Sequence, residues 1–442
     1  MSKHALIPAL VAGALSACAV AEQRVGLALS LALLAVIAAG VAAAPSRVDR
    51  PVLGLAVLLA LQPTLRDAGW VVVACTVAAL VGGAGAVASP GRWPALGRLV
   101  VAPLRLLRGG GLVVDAVGAR TRGARTRDWA PVARGAGLAA VLVAGFGALF
   151  ASADPAFAEA GGELFDVGED PWAIAWRLVL GAAACAAAGA IARAGLAAPA
   201  IGPWRQPRLR PGRTELRMAV GALVVLFAAF VVVQLPILFG GDDHVLATGG
   251  LGYGDYARAG FLQLLVVAAL TLAVVGVAAR DRDPLLRGLL GALCVLTLVV
   301  LLSAQLRLGL VEDAYGLTRV RYGGQAVLVW LAAVLVVVLL AGARASLSRR
   351  APRIVLLLSL AAVLGFSITN PDGRIGASVV ARAAVGKPID RHYVQGLSAD
   401  ALHQLWRIPR ARGGATLWRP IEARLERPDG IAGFNVGRWT AR

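Results

Sequence analysis

Long apolar runs separated by short polar stretches dominate the pattern of this sequence. A helix needs about 20 mostly apolar residues to cross a bilayer, and the pattern predicts an all-α, polytopic membrane protein with about eleven transmembrane helices. The third run is short and is bounded by Arg50, Pro51 and Pro63, so it either spans the bilayer or forms a re-entrant or interfacial piece. The predicted spans are Ala5–Val20, Val25–Ala44, Val52–Leu61, Trp70–Val87, Gly137–Phe150, Trp172–Leu196, Leu216–Phe239, Ala259–Ala279, Leu285–Leu302, Gly323–Ala341 and Ile354–Thr369.

The charges between these runs predict how the chain crosses the membrane. Short loops rich in arginine and lysine stay in the cytoplasm, and the stretch from Arg92 to Arg134 carries nine arginines. With that loop inside and the spans alternating, the inside loops hold 25 basic residues against six acidic ones. The outside short loops hold five basic residues against thirteen acidic ones, leaving out Arg258, which lies next to the start of the eighth span. This split predicts a cytoplasmic N-terminus and an extracytoplasmic C-terminus.

Four regions follow from the spans and loops. Residues 1–88 form an N-terminal four-span region, and residues 89–134 form an arginine-rich cytoplasmic loop. Residues 135–369 carry the remaining seven spans, and residues 370–442 form a helical tail outside the membrane.

The tail reads as a series of small helices. Asn370 is a favoured helix cap and Pro371 a favoured first residue, while Gly386 is a favoured helix end. A second helix is predicted from Ser398 to Trp406 and a third from Thr416 to Arg427.

Composition supports a membrane protein and a bacterial origin. Apolar residues make up 58% of the chain and charged residues 16%, against about 45–50% and 25% in soluble domains. Such a chain is neither water-soluble nor disordered. All but two of its 44 basic residues are arginine, and alanine, glycine and valine are frequent, as in GC-rich bacterial genomes.

The net charge of +19 is consistent with cytoplasmic arginines that face anionic lipid. The predicted partners are therefore membrane lipids and, as a further possibility, another membrane protein, while nucleic acid is not expected. The predicted location is the bacterial plasma membrane.

Cysteine and motif patterns predict neither a metal nor a cofactor. Cys18, Cys75, Cys185 and Cys294 each lie in an apolar run, without the spacing of a disulfide framework or a zinc site. The residues before Cys18 match a lipobox, but alanine-rich spans produce such matches by chance, so an uncleaved first span is the favoured interpretation.

Two polar loops are interpreted as solvated rather than as ligand sites. The glycine-rich stretch Gly250–Gly254 follows no strand of a nucleotide-binding unit. The stretch Asp242–His244 could hold a divalent cation, but three polar residues in a glycine-rich loop more often face water.

Deep polar residues are few. No acidic or basic residue lies near the middle of a predicted span, whereas ion-coupled pumps usually need such groups. Gln234, Gln263 and Gln325 are the deeper polar residues, and interhelical hydrogen bonding is their favoured role.

The remaining polar residues gather in four motifs. These are Ser152–Pro155, Tyr253–Leu264, Glu312–Arg319 and Asn370–Asp372, with continuations at Gly386–Asp390 and Tyr393–Asp400. Together they resemble the bacterial multi-pass membrane families catalogued as domains of unknown function 4153 and 4173. The resemblance runs from about Arg134 to the C-terminus, and the family has no established activity. One departure is Gly373, where such sequences more often carry an apolar residue.

The topology places all four motifs on the extracytoplasmic side. Carboxylates, guanidiniums, phenols and an amide at one membrane face can bind a polar head group or sugar, and they can equally pair with one another and fasten helix ends. The candidate cluster consists of Asp154, Tyr253, Tyr256, Arg258, Gln263, Asp313, Tyr315, Arg319 and Asn370.

Three functions fit these features. The first is a structural, sensory or partner-binding element of the envelope, without catalysis. The second is a transporter of an amphiphilic or lipid-linked substrate, which would call for an internal repeat with broken helices. The third is an enzyme acting on a lipid-linked substrate at the outer face, which would require carboxylates or tyrosines to converge on a pocket.

Overall fold

The computed structural model describes residues 25–43, 48–87, 130–153, 157, 212–239, 261–279, 283–409, 413–426 and 429–442. Within these ranges the chain consists of helices, turns and loops, and no strand occurs. The prediction of an all-α protein is therefore confirmed for the described part of the chain.

Each predicted span that falls in the described residues forms a helix. These helices are α1 (Leu27–Ala43), α2 (Arg50–Ala60) with the short α3 (Gln62–Leu65), α4 (Gly69–Val87), α5 (Ala130–Ala153), α6 (Arg213–Phe239), α7 (Phe261–Ala278), α8 (Pro284–Tyr315), α9 (Arg319–Ala343), the short α10 (Ala345–Ser348) and α11 (Ala351–Ile368). The predicted spans Ala5–Val20 and Trp172–Leu196 and most of the arginine-rich loop lie outside the described residues.

Five of these helices are long and apolar enough to cross a membrane. They comprise Gly69–Ala86, Arg213–Gln234, Pro284–Tyr315, Arg319–Ala343 and Ala351–Ile368. The protein is accordingly a multi-pass membrane protein.

Helix α8 is longer than its hydropathy suggests. The apolar run ends at Leu302, but the helix continues to Tyr315. The added stretch contains three leucines and one each of glutamine, arginine and glutamate, which are all good helix formers. Polar residues such as Arg307 interrupt hydropathy without interrupting backbone hydrogen bonds, so the predicted loop is helical.

The chain groups into two compact units. Unit 1 comprises Met1–Leu96, Leu310–Trp330 and Arg349–Arg442, and unit 2 comprises Gly97–Gly309 and Leu331–Ser348. The tail, which the sequence pattern sets apart, thus packs within unit 1 together with the N-terminal helices.

Unit 1 shows how far the short third apolar run extends. At one end, the Arg353 guanidinium near the start of α11 donates to both carboxylate oxygens of Asp49, which precedes α2 (2.6 and 3.1 Å). At the other end, Arg66 Nη2 donates to the carbonyl of Ile368, the last residue of α11 (2.9 Å). Residues 49–66 therefore run parallel to α11 along its whole length.

This parallel packing buries small and aliphatic side chains. Val52, Ala56 and Leu59 of α2 are fully buried. Gly82 of α4 faces them closely, since a Cβ there would come within 3.0 Å of both Ala56 and Leu360. A narrow contact between three helices is typical of membrane bundles, where small residues let backbones approach.

The tail begins as the sequence predicts. Helix α12 (Pro371–Ala384) starts after Asn370, whose Oδ1 accepts the N–H of Gly373 at 3.2 Å, and Gly386 follows it with a φ of +71°. Gly373 is needed for this cap, because a Cβ there would lie 2.5 Å from the Asn370 amide nitrogen. The departure at Gly373 thus leaves room for the side chain of the capping residue.

Smaller elements complete the tail around one apolar core. They are α13 (Arg391–Gln395), a 3₁₀ turn (Ala399–Ala401), α14 (Leu402–Leu405), α15 (Gly414–Ala423) and α16 (Val436–Thr440). Leu402, Leu405 and Trp418 are buried in this core, as is Ile375 of α12. The sequence predicts α12, a helix over Ser398–Trp406 that the structure forms as the 3₁₀ turn and α14, and a helix from Thr416 that corresponds to α15. It does not predict α13 and α16.

Unit 2 is held by aromatic and polar contacts between its helices. Phe150 of α5 stacks on Phe230 of α6, with ring centroids 4.0 Å apart. Gln234 of α6 is buried and accepts hydrogen bonds from Ser303 (3.3 Å) and Arg307 of α8. The predicted interhelical role of Gln234 is thus confirmed.

Candidate functional site

Polar side chains gather in unit 1 where several helix ends meet the tail. We call Asp67, Asp372, Asp400, Arg319 and Arg438 the tail-anchor cluster. Asp67 precedes α4, Arg319 opens α9, and the other three belong to the tail. The cluster therefore joins the ends of membrane helices to the folded tail.

Asp372 is the most buried member of the cluster, with no exposed surface. Arg319 donates to its two oxygens at 3.0 and 2.5 Å, and the ion pair spans 53 residues of sequence. Trp70 Nε1 (3.1 Å) and the N–H of Ser398 (2.9 Å) complete its contacts. Burial disfavours the charged form, but Arg319 and Ser398 together outweigh it and hold the pKa of Asp372 below its usual value.

The side chains of Asp67 and Asp400 each accept backbone hydrogen bonds from the segment that contains the other residue. Asp400 Oδ2 accepts the N–H groups of Asp67 (2.8 Å) and Ala68 (2.9 Å). In return, Asp67 Oδ2 accepts the N–H of Ala399 at 2.9 Å. This reciprocal pairing ties the loop before α4 to the 3₁₀ turn of the tail.

The environment of Asp400 penalises its charge. Burial is the main cause, and the neighbouring Asp67 carboxylate adds to it, so that the pKa of Asp400 rises to about 6. The space beside it is also tight, since a Cβ on Gly437 would lie 2.3 Å from Asp400 Oδ1. Asp400 is consequently the cluster member whose charge state is most sensitive to pH near neutrality.

Arg438 closes the cluster from the side of α16. Its side chain is 9% exposed, and it pairs with Asp67 (2.6 Å) and with Asp429 (3.0 Å). It also donates to the backbone carbonyls of Val25 (2.9 Å) and Gly433 (2.5 Å). A guanidinium has five donors in a fixed fork, and here that fork satisfies two carboxylates and two carbonyls at once.

Backbone bonds attach the same part of the tail to the start of α1. Leu27 N and Ala28 N, both in the first turn, donate to the carbonyls of Phe434 and Ala432 at 2.9 Å. The first N–H groups of a helix have no partner within the helix, so the tail supplies one. Gly26 permits this approach, because a Cβ there would lie 2.4 Å from the Gly433 and Phe434 oxygens.

Two of the predicted site residues meet at this cluster. Arg319 binds Asp372, and Asn370 Nδ2 donates to the carbonyl of Asp400 at 3.3 Å. Both residues thus serve the attachment of the tail.

Asp313 and Tyr315 lie at the end of α8 in unit 1. The Asp313 carbonyl accepts bonds from Arg382 and Lys387, each at 3.4 Å, while its side chain is exposed. Tyr315 is 48% exposed, and the Arg321 guanidinium lies 5.8 Å from its ring centre. Here tail residues bond the end of a second membrane helix.

The other predicted residues lie elsewhere. Gln263 belongs to α7 in unit 2, and its Oε1 is buried without a hydrogen-bond partner among the described residues. Asp154, Tyr253, Tyr256 and Arg258 lie outside the described residues. The single cluster of all these residues therefore stays a prediction.

Sequence reasoning missed Asp67, Asp372, Asp400 and Arg438 as site residues, although Asp372 lies in the Asn370–Asp372 motif. Asp400 lies inside a family-like stretch, and Asp67 follows a span, but charge counts treat both as solvated loop residues. The available signal for Asp67 was its position between two apolar runs, the second of which begins with Trp70. No local pattern marks Arg438, two of whose partners, Asp67 and Val25, are 371 and 413 residues away in sequence.

The family assignment covers most of this architecture. The model of the family described as a domain of unknown function, DUF4153, matches residues 53–408. The chain belongs to this family. No curated protein and no solved structure matches the chain.

The matched region contains four of the five cluster residues. Asp67, Arg319, Asp372 and Asp400 lie within it, whereas Arg438 lies beyond its end. Helix α1 lies before its start, and the first turn of α1 is bonded to the last part of the tail. The DUF4153 region thus builds the carboxylate cluster, and the two flanking segments of the chain pair with each other beside it.

Proposed function

We propose that this DUF4153 protein is a structural, sensory or partner-binding element of the bacterial cell envelope. In this proposal it spans the plasma membrane about eleven times, with its N-terminus in the cytoplasm and its tail outside. The tail-anchor cluster then acts as a fastener that holds a folded surface over the helix ends. Membrane lipids and another membrane protein are the proposed partners of that surface.

One observation carries the proposal. Asp372 and Asp400 are buried carboxylates of the tail. Asp372 accepts hydrogen bonds from Arg319 at the start of α9, and Asp400 accepts the backbone N–H groups of Asp67 and Ala68 before α4. Oxygens engaged in this way position the tail rather than contact a substrate. The geometry therefore supports a fixed tail surface better than a reactive site.

The arrangement of helix ends supports the proposed topology. In unit 1, the loops before α4 and α9 bond the tail, and the end of α11 bonds Arg66 in the loop before α4, so all three share one side of the bundle. The starts of α2 and α11 lie at the opposite end, next to the basic residues Arg50, Arg349 and Arg350. Basic residues at that end agree with a cytoplasmic location.

Reporter fusions test the topology. A reporter fused after Arg442 should be active only outside the membrane, and one inserted between Arg92 and Arg134 only inside. If both reporters were active on the same side of the membrane, the proposed orientation would be wrong.

A double-mutant cycle tests the fastener role. Arg319→Met and Asp372→Asn, singly and together, are compared by melting temperature in mild detergent and by the lipids and proteins that co-purify. A fastener predicts lower melting temperatures for both single variants, with a double variant less destabilised than their sum. Unchanged melting with loss of one co-purifying ligand would instead identify the cluster as a ligand site and refute the fastener.

A further inference from the structure

The last described part of the tail, residues 429–442, exposes large apolar side chains next to membrane helices. Ile431 is 88% exposed, Trp439 is 64% exposed and Phe434 is 38% exposed. Many apolar residues of the tail pack into one core, while Val385 and Trp406 are exposed outside this segment. Moving side chains of this size from water to an apolar surface is favourable.

The depth of this segment is set by hydrogen bonds to two helix ends. On one side, the carbonyls of Ala432 and Phe434 accept the first N–H groups of α1. On the other side, Asn435 is fully buried, and its Nδ2 donates to the carbonyls of Pro63 (2.9 Å) and Arg66 (2.8 Å) around the end of α3. Residues 431–439 therefore lie level with the point where apolar helices begin and end.

The two helices at this corner also turn apolar side chains outward. Ser30 of α1 and Thr64 of α3 are hydrogen bonded at 2.8 Å, which places the helices side by side. Leu31 of α1, Leu65 of α3 and Leu61, between α2 and α3, are each 37–42% exposed. In a multi-pass protein such leucines face lipid, so the apolar surface of residues 431–439 adjoins a lipid-facing corner.

We infer that residues 431–439 form an interfacial anchor, with Ile431, Phe434 and Trp439 inserted at the boundary between lipid head groups and acyl chains. Tryptophan is enriched at this depth because its ring is apolar and its N–H is polar. The buried pair of Arg438 with Asp67 and Asp429 fixes the segment from the protein side. The inference concerns depth only, and it holds on whichever face of the membrane the tail lies.

This anchor gives the tail two attachments of different kinds. The tail-anchor cluster holds α12, the 3₁₀ turn and, through Arg438, α16 by ion pairs and hydrogen bonds, whereas Ile431, Phe434 and Trp439 contact lipid through apolar side chains. The free energy gained from contact with lipid increases with the apolar area that is buried. Removing the bilayer should therefore expose this segment while leaving the cluster intact.

Site-specific labels test the inference directly. In a variant with the four native cysteines replaced by alanine, Ile431→Cys and, separately, Trp439→Cys carry an environment-sensitive fluorophore. The control is Arg419→Cys, an exposed charged position on α15, whose neighbours Leu417 and Trp418 face the tail core. Melting temperatures in detergent confirm that the labelled variants are folded.

The labelled proteins are placed in phosphatidylcholine nanodiscs with and without brominated acyl chains. We expect brominated lipid to reduce the emission of both anchor labels and aqueous iodide to leave it unchanged, with the opposite result at position 419. Iodide quenching at position 431 equal to that at position 419 would overturn the inference. Protection from both quenchers would also overturn it, because another protein segment or a second copy of the chain would then cover the patch.

Discussion

Two aspartate–arginine pairs of nearly the same geometry lie at opposite ends of unit 1. Arg319 donates two bonds to Asp372 beneath the tail, and Arg353 donates two bonds to Asp49 at the other end. The side chains of the first pair are 33% and 0% exposed, and those of the second are 49% and 20% exposed. The comparison separates the effect of burial from the effect of bonding geometry.

Burial gives the two pairs different roles. An exposed pair gains little, since water screens its charges and side-chain entropy is lost. A buried pair becomes essential once formed, because removing one partner leaves a charge without compensation. The tail end of the bundle should therefore depend strongly on its carboxylates, while the Asp49 end should tolerate their loss.

The largest effect is expected from Asp372→Asn. The substitution leaves Arg319 partly buried without a carboxylate, which should cost about 3–5 kcal/mol of stability. Thermal melting in mild detergent measures this loss. Asp390→Asn is the matched control, since Asp390 is exposed and an asparagine can still cap α13. Equal and small losses in the two variants would contradict the importance of burial.

The next effect concerns pH and Asp400→Asn. Because the folded-state pKa of Asp400 is about 6 rather than 3.8, the carboxyl group favours folding most below pH 4. That contribution is lost as pH rises through 6, and its size is roughly 3 kcal/mol. Asparagine does not titrate, so the stability of the variant relative to the natural protein should increase between pH 4 and 6 and then stay constant. A difference that is flat from pH 4 to 7 would show that Asp400 is not held in a charge-disfavouring site.

A third, smaller effect tests the close approach at the tail end. In Gly26→Ala, the new Cβ would overlap the Gly433 and Phe434 oxygens, and relieving such overlap typically costs about 1–3 kcal/mol. Gly54→Ala is the control near the Asp49 end, where no atom lies within 4 Å of the new Cβ. Alanine should stabilise α2 there by up to about 1 kcal/mol. Opposite signs in detergent melting are expected, and a loss in both variants would count against the docked tail.

The smallest effect is expected from Asp49→Asn. Arg353 lowers the pKa of Asp49, but the pair is exposed enough that its loss should cost about 0–1 kcal/mol. Asparagine can replace Asp49 as the cap of α2. The existing cap bond is weak, since Asp49 Oδ1 accepts the N–H of Val52 at 3.5 Å. Adding salt should weaken the natural protein toward the variant. A loss as large as that of Asp372→Asn would remove the distinction between the two ends.

The helices of this protein could be predicted because each apolar run satisfies its own backbone within a bilayer. The cap at Asn370-Pro371 and the end at Gly386 could also be predicted, since both depend on local backbone chemistry. The end of α8 could not, because a helix that leaves the apolar region keeps its hydrogen bonds while its hydropathy falls. The two short helices α13 and α16 form only on the surface of the tail core.

The candidate site was predicted only in part for a related reason. Arg319 and Asn370 stand in recognisable motifs, so the sequence marks them as polar residues near helix ends. Asp67 and Asp400 are 333 positions apart in sequence, and only the folding of the chain between them brings them together. Whether a carboxylate is solvated or buried is a property of its surroundings, and those surroundings come from distant segments.

The sequence by itself determined that this is a helical membrane protein with a helical tail, because hydrophobicity and capping act over one or a few helical turns. Only the tertiary structure decided that residues 49–66 run the length of α11 and that the tail is tied to helix ends. Those outcomes depend on shape and on charges that meet across hundreds of residues. The energy of such contacts is set by burial, which no local pattern contains.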